Sequence, residues 1–166
     1  MTQTEDVIAT VVGIQADSDL ARLVAGRADI MTLTQLTHDA ALIPQDPGGL
    51  SYAERAAFAC RIAKLNKDEA FAAHFTALLH KAGASETTAR IADQRFDGGG
   101  DPRLEALIRH ADLVAESPKT ATRCDVEQLQ GAAIADADIV RLSELVAFVS
   151  YQIRVAAGLR LLGGMA

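Results

Sequence analysis

The sequence predicts an all-α fold, and three observations lead to this prediction. Apolar residues recur about every 3.6 positions in most segments. Those segments begin and end at capping residues, prolines and glycines that mark helix termini. Tryptophan is absent and aromatic residues make up only 4% of the chain, so the helices are expected to pack closely on small side chains. No segment reads as a strand.

The N-terminal third of the sequence is predicted to form three helices followed by a loop. A capping box over Thr2 to Glu5 opens the first helix, which ends near Gly13. The second follows Asp17 or Ser18 and ends at Gly26, and the third runs over about 28–42. The run PQDPGG at 44–49 cannot continue a helix.

The remaining helices follow from similar signals. Ser51 and Glu54 form a second capping box before a helix over about 52–65, and Asp68 begins a helix that extends to Ala82 before Gly83. After the loop RFDGGGD, Asp101 and Pro102 begin the next long helix. The other predicted helices cover about 86–93, 125–131 and 137–162, the last capped by Asp136.

Charge and composition exclude several function classes. The 166 residues carry a formal charge of −6, with 16 basic and 22 acidic residues mixed along the chain, so no positive field attracts nucleic acid. No signal-like N-terminus and no apolar run of about 18 residues occurs, so no membrane partner is expected and the expected location is the cytoplasm. Cys60 and Cys124 have no cysteine or histidine neighbour at ligand spacing, which argues against a disulfide framework and a structural zinc site.

The segment LSYAERAAFACRIAKLNKDEAFAAHFTALLHKAGAS, at 50–85, resembles the core of the carboxymuconolactone decarboxylase superfamily, which includes the alkylhydroperoxidase AhpD. That core has an LSxxER helix start, a corner, a CxxC pair, a histidine four residues beyond the second cysteine, and AAxxKAGxS. The residues that fit the pattern are Leu50, Ser51, Glu54, Arg55, His74, Lys81, Ala82, Gly83 and Ser85. The flanking sequence is similar to peroxidase-related members, in particular to one uncharacterised subfamily.

The resemblance implies an AhpD-like helical bundle that forms a single domain over 1–166. Within it, 1–49 is an N-terminal helical extension, 50–93 is the core and 101–166 is a C-terminal helical hairpin. Superfamily members similar to this chain form dimers, trimers or hexamers. The apolar residues on several faces of the last helix also predict a homo-oligomer; they are Val146, Phe148, Val149, Ile153 and Val155.

The chain departs from the superfamily at the sulfur positions. Lys67 and Ala70 stand where the CxxC cysteines belong, and Arg55 stands at or beside the position of an expected acidic residue. Dithiol peroxidase chemistry requires one thiolate to attack the peroxide and a second thiol to resolve the sulfenic acid. That mechanism therefore cannot run at this site.

The resemblance makes His74 the leading catalytic candidate, because it occupies the position of the relay histidine and an imidazole titrates near neutral pH. The alternative is an inert histidine beside the apolar residues Phe71, Phe75 and Leu78. We expect His74 to be mostly buried in a small cavity between the 52–65 and 68–82 helices. At least one of its nitrogens should then bond to Glu54, a water or a small ligand.

Three other residues complete the predicted site. Glu54 is a second catalytic candidate that orients His74 or receives its proton, or it acts only in the capping box with Ser51. Lys67 and Glu69 bind an acidic substrate, or they form a charged helix corner in water.

The remaining cysteines and histidines carry weaker signals. Cys60 is expected to be a small buried hydrophobe, and Cys124 a thiol without a local partner. The spacing of His38, His80 and His110 gathers no metal ligands, so the prediction includes no metal and no cofactor.

Two functions remain open at this point. The first is cofactor-free proton-transfer chemistry at His74, of the lyase or isomerase type, in a peroxidase-related protein that has lost its dithiol. The alternative is a non-catalytic scaffold or subunit that partners itself or a second, cysteine-bearing AhpD-like protein.

Overall fold

The structure, a computed structural model, describes residues 6–164, and these form nine α-helices, one 3₁₀ turn and no strand. The all-α prediction is therefore confirmed. The helices are α1 (Val7–Val12), α2 (Asp19–Ala25), α3 (Ala28–Leu42), α4 (Tyr52–Leu65), α5 (Glu69–Lys81), α6 (Glu86–Arg90), α7 (Pro102–Glu116), α8 (Arg123–Gly131) and α9 (Asp136–Leu162), with the 3₁₀ turn at Pro118–Thr120.

Short polar side chains set most helix starts, as their sequence positions predict. Ser51 and Glu54 form the reciprocal capping box of α4, and the Asp68 carboxylate accepts from the backbone N–H of Phe71 at the start of α5. Two starts differ from the prediction. A capping box between Thr122 and Asp125 places the start of α8 at Arg123, before the predicted start at about 125. α9 begins at Asp136 itself, with Ala135 as its cap. The predicted box over 2–5 lies outside the described residues.

α4 lies at the centre of the bundle. It packs most extensively against α5 and also contacts α9, α7, α6 and α3. Every residue from Arg55 to Ala63 is buried, so α4 has no solvent-facing side over more than two turns. The alanines of this stretch let the neighbouring helices approach closely.

α9 crosses the bundle and contacts α1, α3, α4, α7 and α8. Within the chain it buries Val146, Val149 and Ile153, while Phe148 and Val155 are half-buried. The apolar pattern that predicts an oligomer is thus largely accounted for by the core of one chain. Among the described helices, α9 alone is long and apolar enough to cross a membrane, a test that the core helix of a folded domain also passes.

Arg55 fixes the loop that precedes α4. Its guanidinium donates to the carbonyl oxygens of Leu50, Ala41 and Pro47 at 2.9–3.0 Å. Burial lowers the pKa of Arg55, and the positive charge of Arg141 lowers it further. The residue at or beside the superfamily's acidic position therefore serves as a backbone clamp.

Candidate functional site

His74 lies on the side of α5 that faces α3, and its imidazole is half-buried. Its Nε2 is 3.4 Å from Nε2 of His38, which α3 contributes. The two rings are tilted by 55° and their centres are 5.2 Å apart. The structure thus pairs the predicted histidine with a second one 36 positions earlier in the chain.

His38 is held in place by α9 and by aromatic rings. Only 4% of the residue is exposed, and its Nδ1 is 3.2 Å from the side-chain oxygen of Gln152. Its ring stacks on Phe75 at 6.1 Å between centres and meets the edge of Phe148 at 6.4 Å. Since the rings and the amide all contact one imidazole, its orientation is fixed by side chains of α5 and α9.

The Gln152 contact determines which nitrogens carry protons. A carbonyl oxygen only accepts, so Nδ1 of His38 is the N–H donor and Nε2 of His38 holds the lone pair. For the two imidazoles to bond to each other, Nε2 of His74 must then donate. In its neutral form His74 has its own lone pair on Nδ1.

Burial also affects the protonation of His38. Loss of water around the ring lowers the pKa of His38, against smaller opposing effects of the Gln152 hydrogen bond and the Asp39 charge. A second positive charge 3.4 Å away would be strongly disfavoured. Protonation of both rings at once is therefore disfavoured, and burial disfavours it most at His38.

A cavity of about 330 Å³ opens beside this pair. Its polar wall includes Gln35, whose side chain accepts from the Val7 backbone N–H and donates to Asp39, tying α1 to α3. The full lining is Val7, Thr10, Gln35, His38, Asp39, Leu42, Ile43, His74, Leu78 and Lys81. A molecule in this space would touch both imidazoles and an apolar floor.

A second cavity of about 200 Å³ shares part of that lining. The shared residues are Leu42, Ile43, Leu78 and Lys81. His74, Leu78 and Lys81 follow one another at spacings of four and three along α5, so they lie in one row on the helix. The row runs from the imidazole, over an apolar side chain, to an ammonium group that takes part in no ion pair within the described chain.

Glu54 does not form the predicted contact with His74. Its carboxylate accepts from the backbone and side chain of Ser51 and forms an ion pair with Arg103. The alternative prediction, a helix cap, describes its contacts among residues 6–164. Glu54 therefore fixes the start of α4 and joins it to α7.

The cavity also lies on a different side of α5 from the predicted one. Ala70, at the position of the second superfamily cysteine, is exposed to solvent. Cys60 lies in the contact between α4 and α5, with its sulfur 3.3 Å from the Thr76 hydroxyl. The cavity at His74 instead lies where α1 and α3 face α5. The second cavity, which His74 does not line, reaches α4 at Tyr52 and Ala56.

Lys67 and Glu69 are both exposed and line neither cavity at His74. Lys67 has a positive φ of 58°, which marks the corner between α4 and α5. Their part in substrate binding stays a prediction, whereas Lys81 lines both cavities.

The two cysteines remain separate. Cys60 is buried in α4 and Cys124 is exposed in α8. Among residues 6–164, no group of three or more histidine, cysteine, aspartate or glutamate side chains is arranged around a common metal position.

The sequence interpretation missed His38 and Gln152. One signal could have found His38: Thr34, His38 and Leu42 recur every four residues, and all three are buried. That spacing places His38 on the core face of α3. Its partner Gln152 on α9 is 114 positions away, and no local pattern predicts such a contact.

Two solved structures share this fold. An uncharacterised peroxidase-related protein from Ralstonia eutropha JMP134, described as an alkylhydroperoxidase AhpD core, matches with a TM-score of 0.69 and 21% identity over 93% of this chain and 83% of its own. An uncharacterised peroxidase-related protein from Silicibacter sp. TM1040 matches with a TM-score of 0.68 and 17% identity over 79% of this chain and 68% of its own. Neither the protein-family models nor the curated proteins give a match. The chain therefore has the AhpD-like fold that the sequence resemblance implies.

Proposed function

We propose that this chain catalyses a proton transfer on a small, largely apolar molecule bound between α1, α3 and α5, with His74 as the base and His38 as its positioning partner. The observation that carries the proposal is the contact between the two Nε2 atoms at the wall of an open cavity. Such a reaction needs no dithiol, and this chain has none at the position where the superfamily resemblance places one.

The hydrogen-bond order gives each histidine a role. His74 removes a proton from a carbon of the bound molecule and becomes an imidazolium, whose Nε2–H donates to the neutral His38. His38 stays neutral because its site is dry and Gln152 holds its Nδ1–H. The proton then returns from His74 to another atom of the same carbanion, so the net reaction is an isomerisation. If the carbanion forms by loss of carbon dioxide, His74 must enter the step protonated.

The cavity lining indicates the kind of molecule. Leu42, Ile43 and Leu78 form an apolar surface shared by both cavities, and Lys81 adds one ammonium group at their boundary. An ammonium there stabilises the negative charge that develops when a carbon loses its proton. We therefore propose a small carbon acid with one anionic or strongly polar oxygen.

Solvent deuterium incorporation tests this proposal without knowledge of the natural substrate. A panel of small β-keto acids, lactones and unsaturated acids is incubated with the protein in D₂O, and exchange at carbon is followed by proton NMR. We expect exchange in at least one compound to fall by about 100-fold or more in His74→Gln, the range for loss of a general base. His80→Gln, an exposed histidine of the same helix, is the matched control and should retain the exchange rate.

Equal rates in the wild type and in His74→Gln would contradict the proposal. So would equal rates in His74→Gln and His80→Gln below the wild type, because the loss would then not depend on the cavity.

A scaffold role is the second candidate, favoured by apolar side chains that the chain leaves in solvent. Leu33 and Leu36 on α3 are 58% and 59% exposed, and Val140 on α9 is 56% exposed. We propose that the exposed side of α3 at Leu33 and Leu36 mediates self-association. Light scattering at micromolar concentration should give the mass of an oligomer, and Leu33→Glu with Leu36→Glu should shift it toward the monomer. A monomer in the wild type would contradict the scaffold role.

A further inference from the structure

The distances between the imidazoles of His38 and His74 match those between two histidines bound to one metal ion. We propose that their two Nε2 atoms form a binding site for a divalent transition-metal ion such as Zn²⁺ or Co²⁺, open to the cavity on its remaining sides. This inference goes beyond the proposed proton transfer and does not depend on it.

The distances carry the proposal. Imidazoles on a tetrahedral ion at about 2.0–2.1 Å have nitrogens about 3.3–3.4 Å apart and ring centres about 5.2 Å apart. The observed values are 3.4 Å and 5.2 Å. A linear N–H···N bond at the same nitrogen separation would place the ring centres about 5.7 Å apart, so the two rings are bent away from that line toward the arrangement around one ion.

The surroundings of His38 fit a metal ligand. A metal-bound imidazole usually donates its other N–H to a carbonyl or carboxylate, which fixes the ring and directs the second nitrogen at the ion. Nδ1 of His38 has this contact with the oxygen of Gln152. The tautomer with its proton on Nδ1 leaves a lone pair on Nε2 of His38, and this nitrogen is then the ligand atom.

The cavity supplies the other coordination positions. With two protein ligands, the ion would complete its sphere with water or with a polar group of a molecule in the 330 Å³ space. Such a site binds more weakly than a four-ligand structural zinc site and exchanges its ion readily. His74 must carry its proton on Nδ1 when the ion occupies Nε2.

The ion and the extra proton compete for the pair. A ligand nitrogen must offer its lone pair, so binding of the ion displaces any proton that Nε2 of His74 carries. Neighbouring charges act on the same ion: Asp39 on α3 and Lys81 on α5 line the cavity, and the facing wall of α1 contributes Val7 and Thr10.

Zn²⁺ and Co²⁺ titrations of the full chain test the proposal. Calorimetry with Zn²⁺ at pH 7.5 should give one site, and affinity should fall at least tenfold in His38→Gln and in His74→Gln. His80→Gln is the control and should bind as the wild type does. Co²⁺ should give the visible absorption of a tetrahedral ion, lost in both cavity variants.

Binding that is unchanged in either cavity variant, or lost equally in His80→Gln, would overturn the proposal. Absence of any site in the wild type would overturn it as well. If His38→Gln does not fold, the half-buried His74→Gln decides alone. Deuterium exchange measured with EDTA present reports on the proposed proton transfer separately, so the two proposals can fail independently.

Discussion

Two buried polar clusters of this molecule differ in how completely they are bonded. Arg61 of α4 binds both carboxylate oxygens of Asp112 at 2.6 and 2.7 Å and donates to the carbonyl oxygens of Ile91, Asp93, Gln94 and Phe96. At the His38 cluster, the amide nitrogen of Gln152 is buried without a hydrogen-bond partner among the described residues. The first cluster joins α4, α7 and the loop after α6, and the second borders an open cavity.

The difference indicates what each cluster is for. A fully bonded guanidinium stabilises the one arrangement of segments that it joins. A buried amide with an unused donor costs stability. Gln152 itself lines neither cavity, so the part of this cluster that a ligand could contact is the His38–His74 pair. We therefore interpret the Arg61 cluster as a structural clamp, and the open cavity beside the His38–His74 pair supports the proposal that this pair is the functional site.

The largest expected effect on stability comes from breaking the clamp. Arg61→Ala should lower the free energy of unfolding by about 3–5 kcal/mol, because Asp112 and the loop carbonyls lose their partner. Urea unfolding measures the change. Arg123→Ala is the control, since its ion pair with Glu127 is exposed and should contribute no more than about 0.5 kcal/mol. If the two variants lost similar amounts of unfolding free energy, the Arg61 cluster would stabilise the fold no more than an exposed ion pair does.

A second change should separate stability from function at the other cluster. The double variant His38→Leu with Gln152→Leu removes both hydrogen-bonding partners together, so the free energy of unfolding should change by no more than about 1 kcal/mol. Carbon-acid exchange should nevertheless be lost, since His74 no longer has its partner. Retained exchange, or a loss of stability as large as that of Arg61→Ala, would show that the pair is structural.

The caps show how much the sequence could predict. Ser51, Glu54, Asp68 and Asp101 each make a capping contact within three residues of their own position, so these capping contacts follow from local spacing. The fold and the place of His74 in α5 follow from similarly local patterns. The role of His74 itself stays a prediction.

The pair itself could not be predicted in this way. His38 meets His74 and Gln152 only because α3, α5 and α9 pack together, over separations of 36 and 114 residues. Local spacing could equally well describe Glu54 as a partner of His74 or as a cap. Only the folded structure shows that Glu54 forms an ion pair with Arg103 of α7, 49 positions away, and not a contact with His74.

A smaller effect is expected from pH. Burial lowers the pKa of His38 below its ordinary value of 6.5, so the unfolded chain binds a proton that the folded chain resists. The free energy of unfolding should therefore fall as the pH drops below about 6.5 and be unaffected by this group above it. His110 has a pKa lowered by burial too, so the decisive quantity is the difference between wild type and His38→Gln. Equal acid slopes in urea unfolding would contradict the assignment.

The smallest effect should come from the cysteines. Cys60 is buried and Cys124 is exposed, and they lie on different helices, so no dithiol is available to resolve a sulfenic acid. Hydroperoxide reduction with a dithiol reductant should show no component that Cys124→Ser removes. Turnover abolished by that substitution would place redox chemistry in this chain.

We propose that His38 and His74 act as one unit that holds a single exchangeable proton. Nitrogen-15 NMR of the imidazoles from pH 5 to 8, without added metal, tests it most directly. We predict that His38 stays neutral with its proton on Nδ1 near neutral pH while His74 titrates, and that His74→Gln changes the His38 signals but His80→Gln does not. Independent titration of both histidines near pH 6.5, as for exposed imidazoles, would contradict the account.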